Sequence, residues 1–582
     1  MLYRPMRGIR IAASIVALVG CFNFASAEEW AVTSIPFKIK GEKTVNNVKL
    51  SWEKLPDADS YKVYRDGQPI AEVYSIVYDD YNLPVDTEHT YYVEALKSGE
   101  VTRKATSTKA KTFTYDGPSE VYDNFDGKYL NKSSEARPSG FKIGNAYYQY
   151  AIDRIDRDTD NGKVSGWSVT EKKSTDGITN WSNPREVVFY PKVNMEGNAF
   201  NYNPVTGKVV LSSHLEDEGG YNAAKIFLAQ ITPGEGIEVG TAERPLGHDS
   251  RDQSLFIDTD NTAYLLSATN TNQDINIYRL DPTWTKPVEL VNTICKGAHR
   301  ETPYIVKVDG EYYFFSSKAS GWYPSQTMYC STSDLSGEWS PLKEIGNNST
   351  FDAQFNRIKN WDDVAACWSY HWGAQREHKT PAGNFPRVTI LAFNEGTATM
   401  SYFRFVEFND KHGVIPVQNG RILSLNCPVT AAVRGTNGVQ AKCINDGAMC
   451  ESSEYFKKNV NSALGQPYMF ILDLQDDVNL SEINFATRLV NGSECAYHYT
   501  IEGSADNKKF DMLVDGRTNW GVGFQIHDLA AENPYRYLRL RVYDVVSVRK
   551  GNSQQWADGI YELTAYGLRA DASKKDLAQN KN

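Results

Sequence analysis

The sequence predicts an all-β, multi-domain chain, and three observations carry that prediction. Its 582 residues are several times the ~100–150 of an ordinary domain, so three or so separate cores are expected. Its 12 Trp, 35 Tyr and 24 Phe suit strands, where aromatic side chains pack against cross-strand neighbours. Short alternating runs bounded by Gly, Asp, Asn and Pro recur along the chain, and helical periodicity is absent from its long central stretch.

Residues 1–27 read as an export signal. Arg4, Arg7 and Arg10 precede the apolar run from Ile11 to Phe24, and Ala25-Ser26-Ala27 offers a small-residue cleavage site. Leu18-Val19-Gly20-Cys21 also fits a bacterial lipobox, which would lipidate Cys21 and anchor the protein to a membrane. Soluble export is placed ahead because Phe22-Asn23-Phe24 carry the apolar stretch past Cys21. The expected location is therefore periplasmic, extracellular or, through Cys21, the cell surface. No later segment has the ~20 consecutive apolar residues of a bilayer span.

Between residues 28 and 114, Val48-Lys49-Leu50-Ser51-Trp52, Tyr61-Lys62-Val63-Tyr64 and Tyr91-Tyr92-Val93-Glu94-Ala95 read as strands, and Asp66-Gly67 marks a hairpin turn. From 115 to 427, strands recur in groups with acidic turns and aromatic ends, as in Gly310-Glu311-Tyr312-Tyr313-Phe314-Phe315. Four-stranded units over this length suit a β-propeller, whose residues converge on a central funnel; two large sandwiches account for the strand content equally well. From 428 to 567 a third all-β unit includes Arg536-Tyr537-Leu538-Arg539-Leu540-Arg541-Val542, which places charge on one face and core on the other. Residues 568–582 are polar and read as a disordered tail.

A net charge of -10 and a pI near 5.6 exclude a partner that depends on clustered Lys and Arg, so no nucleic acid is expected. Seven cysteines follow Ala27, without zinc-site spacing. Cys443 and Cys450 form the expected local disulfide, while Cys367 reads as a buried thiol. Asn348-Ser349-Thr350 carries the N-glycosylation acceptor pattern.

Glycoside hydrolysis usually needs two acidic groups across the scissile bond, so carboxylates in apolar, aromatic surroundings are the candidates. Asp252, beside Arg251, precedes the strand-like Leu255-Phe256. Glu301, beside Arg300, enters the run Tyr304-Ile305-Val306, with Pro303 fixing its approach.

Both segments resemble motifs of glycoside hydrolase family 43, in particular its exo-β-1,3-galactanase-like branch. The matches are Ser250-Arg251-Asp252 with Leu255-Phe256, Arg300-Glu301-Thr302-Pro303, Gly321-Trp322-Tyr323-Pro324 and Thr350-Phe351-Asp352-Ala353-Gln354. The resemblance implies a five-bladed propeller in which Glu301 is the general acid, Asp252 orients it and modulates its pKa, and Gln354 positions the attacking water. Glu196 would bind sugar hydroxyls and Trp322 would supply a stacking face, with Arg251, His371 and Trp372 also lining the substrate; no catalytic metal or cofactor is required. Residues 28–114 resemble an Ig-like fibronectin type III sandwich, with Trp52 at its early tryptophan and Tyr91 or Tyr92 near its tyrosine corner. Residues 428–567 resemble the discoidin, or factor 5/8 C, jelly roll, including carbohydrate-binding module family 32. There Asp446-Gly447 lies at the turn where a structural calcium is implied.

The chain departs from the family in its first blade, where Ala136-Arg137-Pro138-Ser139-Gly140 replaces the usual base or glycine run, and at Ser369-Tyr370-His371-Trp372. The expected function is an exported inverting exo-glycosidase acting on oligo- or polysaccharide of the β-1,3-galactan or arabinogalactan type. The alternatives are an α-L-arabinofuranosidase or β-galactofuranosidase of the same family, and an inactive glycan-binding protein.

Overall fold

Alternating sequence becomes antiparallel strand throughout. The computed structural model describes residues 30–569 apart from position 118 and segments 132–137, 160–161, 362–363, 373, 376–377, 380–383, 433–440, 458–466, 491–493 and 531–532. The expected export signal with Cys21, most of the polar tail, and Ala136 and Arg137 lie outside these residues. Among the described residues, helix is confined to three short 3-10 turns, and no helix is long and apolar enough to cross a membrane.

Five four-stranded sheets follow one another along the chain, each a meander in which strand order equals chain order. Their first strands are Phe141–Ile143, Val193–Asn203, Gln253–Ile257, Arg300–Val308 and Gln354–Trp361. Apolar layers lie between neighbouring sheets. Ile277 and Leu266 of the third meet Phe314 and Ile305 of the fourth, and Phe315 of the fourth meets Phe355 of the fifth. Stacking meanders side by side buries both faces of each sheet, which explains why inner strands such as Lys225–Thr232 are apolar almost without alternation.

The predicted hairpin forms. Asp66 and Gly67 both take positive φ, 51° and 77°, and join Ser60–Arg65 to Gln68–Val73. Trp52 is buried against Tyr61 in the N-terminal core, where Tyr91 donates its hydroxyl to Asp80 Oδ2 at 3.0 Å. The other N-terminal strands do not stand alone. Thr33–Ile39 pairs in parallel with Gly413–Gln418, so a seven-stranded sheet runs from Val77–Asp80 through to Ser119–Asp123 and Lys128–Asn131.

In the C-terminal unit Leu538, Leu540 and Val542 point into the core, while Arg536 pairs with Asp473 at 2.8 Å and Arg539 with Glu502, as the alternation required. This unit rests on the fourth and fifth sheets. Phe524 and Tyr561 share a buried cluster with Phe351, Phe355 and Tyr402.

One expectation fails. Cys443 and Cys450 are free thiols: Cys443 is packed into the C-terminal core, and Cys450 turns its Sγ toward the Gly346 carbonyl of the loop after the fourth sheet. Asn348, which carries the acceptor pattern, is only 3% exposed in the folded chain.

Candidate active site

The first strands of the second to fifth sheets carry the residues that the sequence singled out, within or just before their first four positions. Glu196 lies in Val193–Asn203, Asp252 immediately precedes Gln253–Ile257, Glu301 is second in Arg300–Val308, and Gln354 opens Gln354–Trp361. Hydrogen bonds step from sheet to sheet and draw these strand entries together. Gln253 Nε2 donates to Gly197 O at 2.9 Å, Thr302 N to Asp252 Oδ2 at 3.1 Å, and Gln354 Nε2 to Glu301 Oε2 at 3.2 Å. Bulges after Glu196 and Glu301, the latter with Thr302 at φ 51°, break the ladder where side chains must be re-aimed.

Glu301 keeps some surface open, but its carboxylate is hemmed in. Oε1 accepts Asn272 Nδ2 at 2.9 Å, and Oε2 accepts Gln354. Burial, followed by the Asp252 charge, pushes its pKa up to about 8, against the pull of Gln354, Arg251 and Arg300. Burial also raises Asp252, and Glu196 adds to it, while the Thr302 N–H, His214 and Arg251 pull the other way. Such a pair titrates jointly, with one proton held at neutral pH. The sequence-adjacent arginines are turned elsewhere. Arg300 is 2% exposed and donates to Ser316 Oγ at 3.0 Å and to the carbonyls of Ser316 and Gln326; Arg251 donates to Tyr221 O at 3.2 Å.

Gln354 is held at both ends. The indole N–H of Trp372 can only donate, so its 2.9 Å contact makes the facing Gln354 atom the carbonyl oxygen and turns the amide NH2 toward Glu301 and Ser317 Oγ. Neighbouring His371 points the other way, with Nδ1 3.0 Å from Asp352 Oδ2 and its ring against Phe385. Trp322, in the turn after Glu311–Lys318, is 56% exposed.

Asn272, Tyr221 and the buried pair His214–Glu216 were not assigned to the site from sequence. Asn272 ends three consecutive left-handed residues, Asn270, Thr271 and Asn272, at φ 52°, 58° and 63°. The Asp249 carboxylate stabilises this turn by accepting Thr269 Oγ1, Asn270 N and Thr271 N at 2.8–3.0 Å. The Asn-rich run Asn270-Thr271-Asn272 was the available signal, since Asn tolerates that conformation best after Gly. Tyr221 donates its hydroxyl to Glu196 Oε1 at 2.5 Å.

The loop delivering Gln354 is also strained, with Thr350, Phe351 and Asp352 at φ 46°, 54° and 67°. Asn347 Oδ1 caps it by accepting Ser349 N and Phe351 N at 3.1 and 2.6 Å. The C-terminal unit braces it through Asn348 N to Met449 O at 3.0 Å and the edge-to-face contact of Phe351 with Phe524. No group of three or more metal-ligating side chains occurs among the described residues.

The family description "Glycosyl hydrolases family 43" matches residues 237–361, a span that contains Asp252, Glu301 and Gln354. No curated protein matches the chain. Among solved structures, the chain is similar to a variant of the exo-β-1,3-galactanase of Phanerochaete chrysosporium with β-1,3-galactotriose: 20% identity, 77% of this chain and 100% of the other covered, TM-score 0.46. It is also similar to an exo-β-1,3-galactanase of Clostridium thermocellum, with 21% identity, 77% and 96% coverage and TM-score 0.41. With its raised acid and the partners of that acid inside the family 43 span, the chain is a glycoside hydrolase.

Proposed function

We propose that this glycoside hydrolase is an exported, inverting exo-enzyme that removes galactose from β-1,3-galactan or arabinogalactan-type polysaccharide. The observation that carries the mechanism is Glu301, kept protonated near neutrality by burial and by Asp252. The galactan specificity rests on the motif resemblance of residues 250–354. On this reading the five meanders are the blades of a propeller, and the entries of their first strands line its funnel.

Glu301 gives its proton to the departing glycosidic oxygen as the bond to the anomeric carbon lengthens. Water attacks the opposite face of the sugar, oriented by the Gln354 carbonyl through the lone pair that Trp372 leaves open, and the proton it gives up passes to the Glu196 carboxylate or, relayed by Gln354, to solvent. Glu196 binds hydroxyls of the terminal sugar, and Trp322, exposed at the rim, stacks on a ring. Asp252 sets the charge felt by Glu301.

The C-terminal unit holds the polymer near the funnel and raises its local concentration. A structural calcium there would be held by Asp446 and Glu562. Glu562 is buried and lifted well above the usual carboxylate range, first by burial and then by the Asp446 charge, so a cation there would have to displace its proton. Lys54 Nζ, 2.9 Å from Asp446 Oδ2, already supplies positive charge at that point and competes with it.

The test is hydrolysis of nitrophenyl glycosides and β-1,3-galactan, with product anomers followed by proton NMR. Galactose released with inverted configuration supports the proposal, whereas retention contradicts single displacement. Release of arabinose or galactofuranose instead would move the specificity to a sister activity.

A further inference from the structure

Directly opposite Glu196 in the second sheet stands His214, on Lys208–Asp217, with Glu216 two residues on and facing the same side. The two are 2% and 1% exposed. His214 Nε2 lies 2.8 Å from Glu216 Oε1, and Glu216 Oε2 takes the Ala224 N–H at 3.0 Å, so Glu216 is spent on holding the ring. His214 Nδ1 has no hydrogen-bond partner among the described residues and faces Glu196 Oε2 at 4.0 Å. A buried ring nitrogen left unpaired calls for an explanation, and here the adjacent group is a carboxylate whose side chain is 40% exposed to the cleft.

Glu196 Oε1 is already fixed by Asn194 Nδ2 at 2.9 Å and Tyr221 OH at 2.5 Å, so only Oε2 is left to choose between His214 and solvent. The charged and titratable groups around the imidazole are Glu196, Glu216, Asp252, Arg251 and Tyr221. With its Nε2 proton given to Glu216, a neutral ring turns a lone pair toward the Glu196 carboxylate, and the contact repels. One additional proton, on Nδ1 or on Oε2, makes the contact attractive and draws the two atoms in from 4.0 Å to hydrogen-bond distance.

We propose that His214, braced by Glu216, is a positioning residue that shares one proton with Glu196 and thereby holds that carboxylate toward the hydroxyls of the bound sugar. This rests on the cleft being the glycosidase site with Glu196 as a sugar ligand. It makes substrate affinity depend on a proton held beside the Glu301–Asp252 pair, whose Asp252 feels both His214 and Glu196.

The experiment compares KM and kcat from pH 5 to 9 on a nitrophenyl galactoside and a β-1,3-galactooligosaccharide for the wild type, His214→Ala and His214→Asn. Asparagine places a non-titrating N–H where Nδ1 stands. His214→Ala should raise KM about 10-fold, the usual effect of losing a charge-assisted hydrogen bond, and change kcat less than about threefold. His214→Asn should recover most of the affinity, and the rise of KM with pH that the proposal expects of the wild type should be absent from both variants. Folded His214→Ala with wild-type KM and wild-type pH dependence overturns the proposal. If the alanine variant fails to fold, His214→Asn with the wild-type rise of KM does the same. A wild type that cleaves no glycoside sinks the glycosidase reading itself, which these outcomes keep separate from failure of the His214 role alone.

Discussion

Replacing Asp252 with Asn tests how the acid is kept protonated, because it removes the charge that ranks second to burial in raising Glu301 while preserving the carbonyl that accepts the Thr302 N–H. With Glu301 at about 8 rather than its ordinary 4.5, about nine molecules in ten hold the proton at pH 7, against fewer than about one in a hundred for an unperturbed side chain. The rate on a substrate that needs leaving-group protonation should therefore be flat up to neutrality and fall to roughly a tenth of its plateau by pH 9. In Asp252→Asn the fall should begin at lower pH, though above the ordinary carboxylate range because burial remains. Each unit of that displacement lowers the acid population about tenfold on the alkaline side. The assay is kcat/KM against pH for a methylumbelliferyl galactoside, with a dinitrophenyl galactoside as a control whose departure needs no proton and whose alkaline fall should shrink. An alkaline limb unchanged in Asp252→Asn would refute the coupling. No limb at all in the wild type would remove Glu301 from the role of acid.

Trp372→Phe removes the indole donor that fixes the Gln354 amide and should lower kcat about 10-fold with little change in KM; a larger effect on KM than on kcat would make Trp372 chiefly a sugar contact. Gly523→Ala forces a left-handed residue at φ 76° and a Cβ 2.7 Å from Ser349 Cβ, so it should cost about 1–3 kcal/mol and slow turnover through the loop carrying Gln354. A melting temperature and rate equal to the wild type would show that the C-terminal unit does not brace the site. Thermal melts should also show a pH signature. Folded Glu301 binds its proton more tightly than unfolded, so wild-type stability relative to Glu301→Gln is complete below about pH 4.5 and is lost as pH rises through about 8. A difference in melting temperature that does not change over that window would contradict the raised pKa.

That Asp252, Glu301 and Gln354 stand together was legible from their short motifs. Glu301, Asp252 and Gln354 each sit at the start of a sheet's first strand, and hydrogen bonds between those strands join them. Local alternation likewise anticipated Leu538, Leu540 and Val542 in the core and Asp66-Gly67 in a hairpin. Long-range pairing was not legible, because strands 33–39 and 413–418 carry no signal that they will meet. Their sheet takes strands from both sides of residue 114, where the strand pattern placed a boundary. Asn272 was missed because its reach depends on three left-handed residues held by Asp249, a backbone property that residue type only hints at. Arg300 and Arg251 lie beside acids in the sequence, but successive side chains on extended backbone point to opposite faces, and both donate to carbonyls instead. Cys443 and Cys450 are close in sequence, yet the turn between them sends one into the core and the other toward Gly346.

The most direct test of the central claim is single-substrate hydrolysis of β-1,3-galactotriose by the wild type and Glu301→Gln, with galactose measured by chromatography over time. The account predicts stepwise galactose release by the wild type and a rate at least about 100-fold lower in a Glu301→Gln protein that remains folded. Galactose release by Glu301→Gln at the wild-type rate would contradict it.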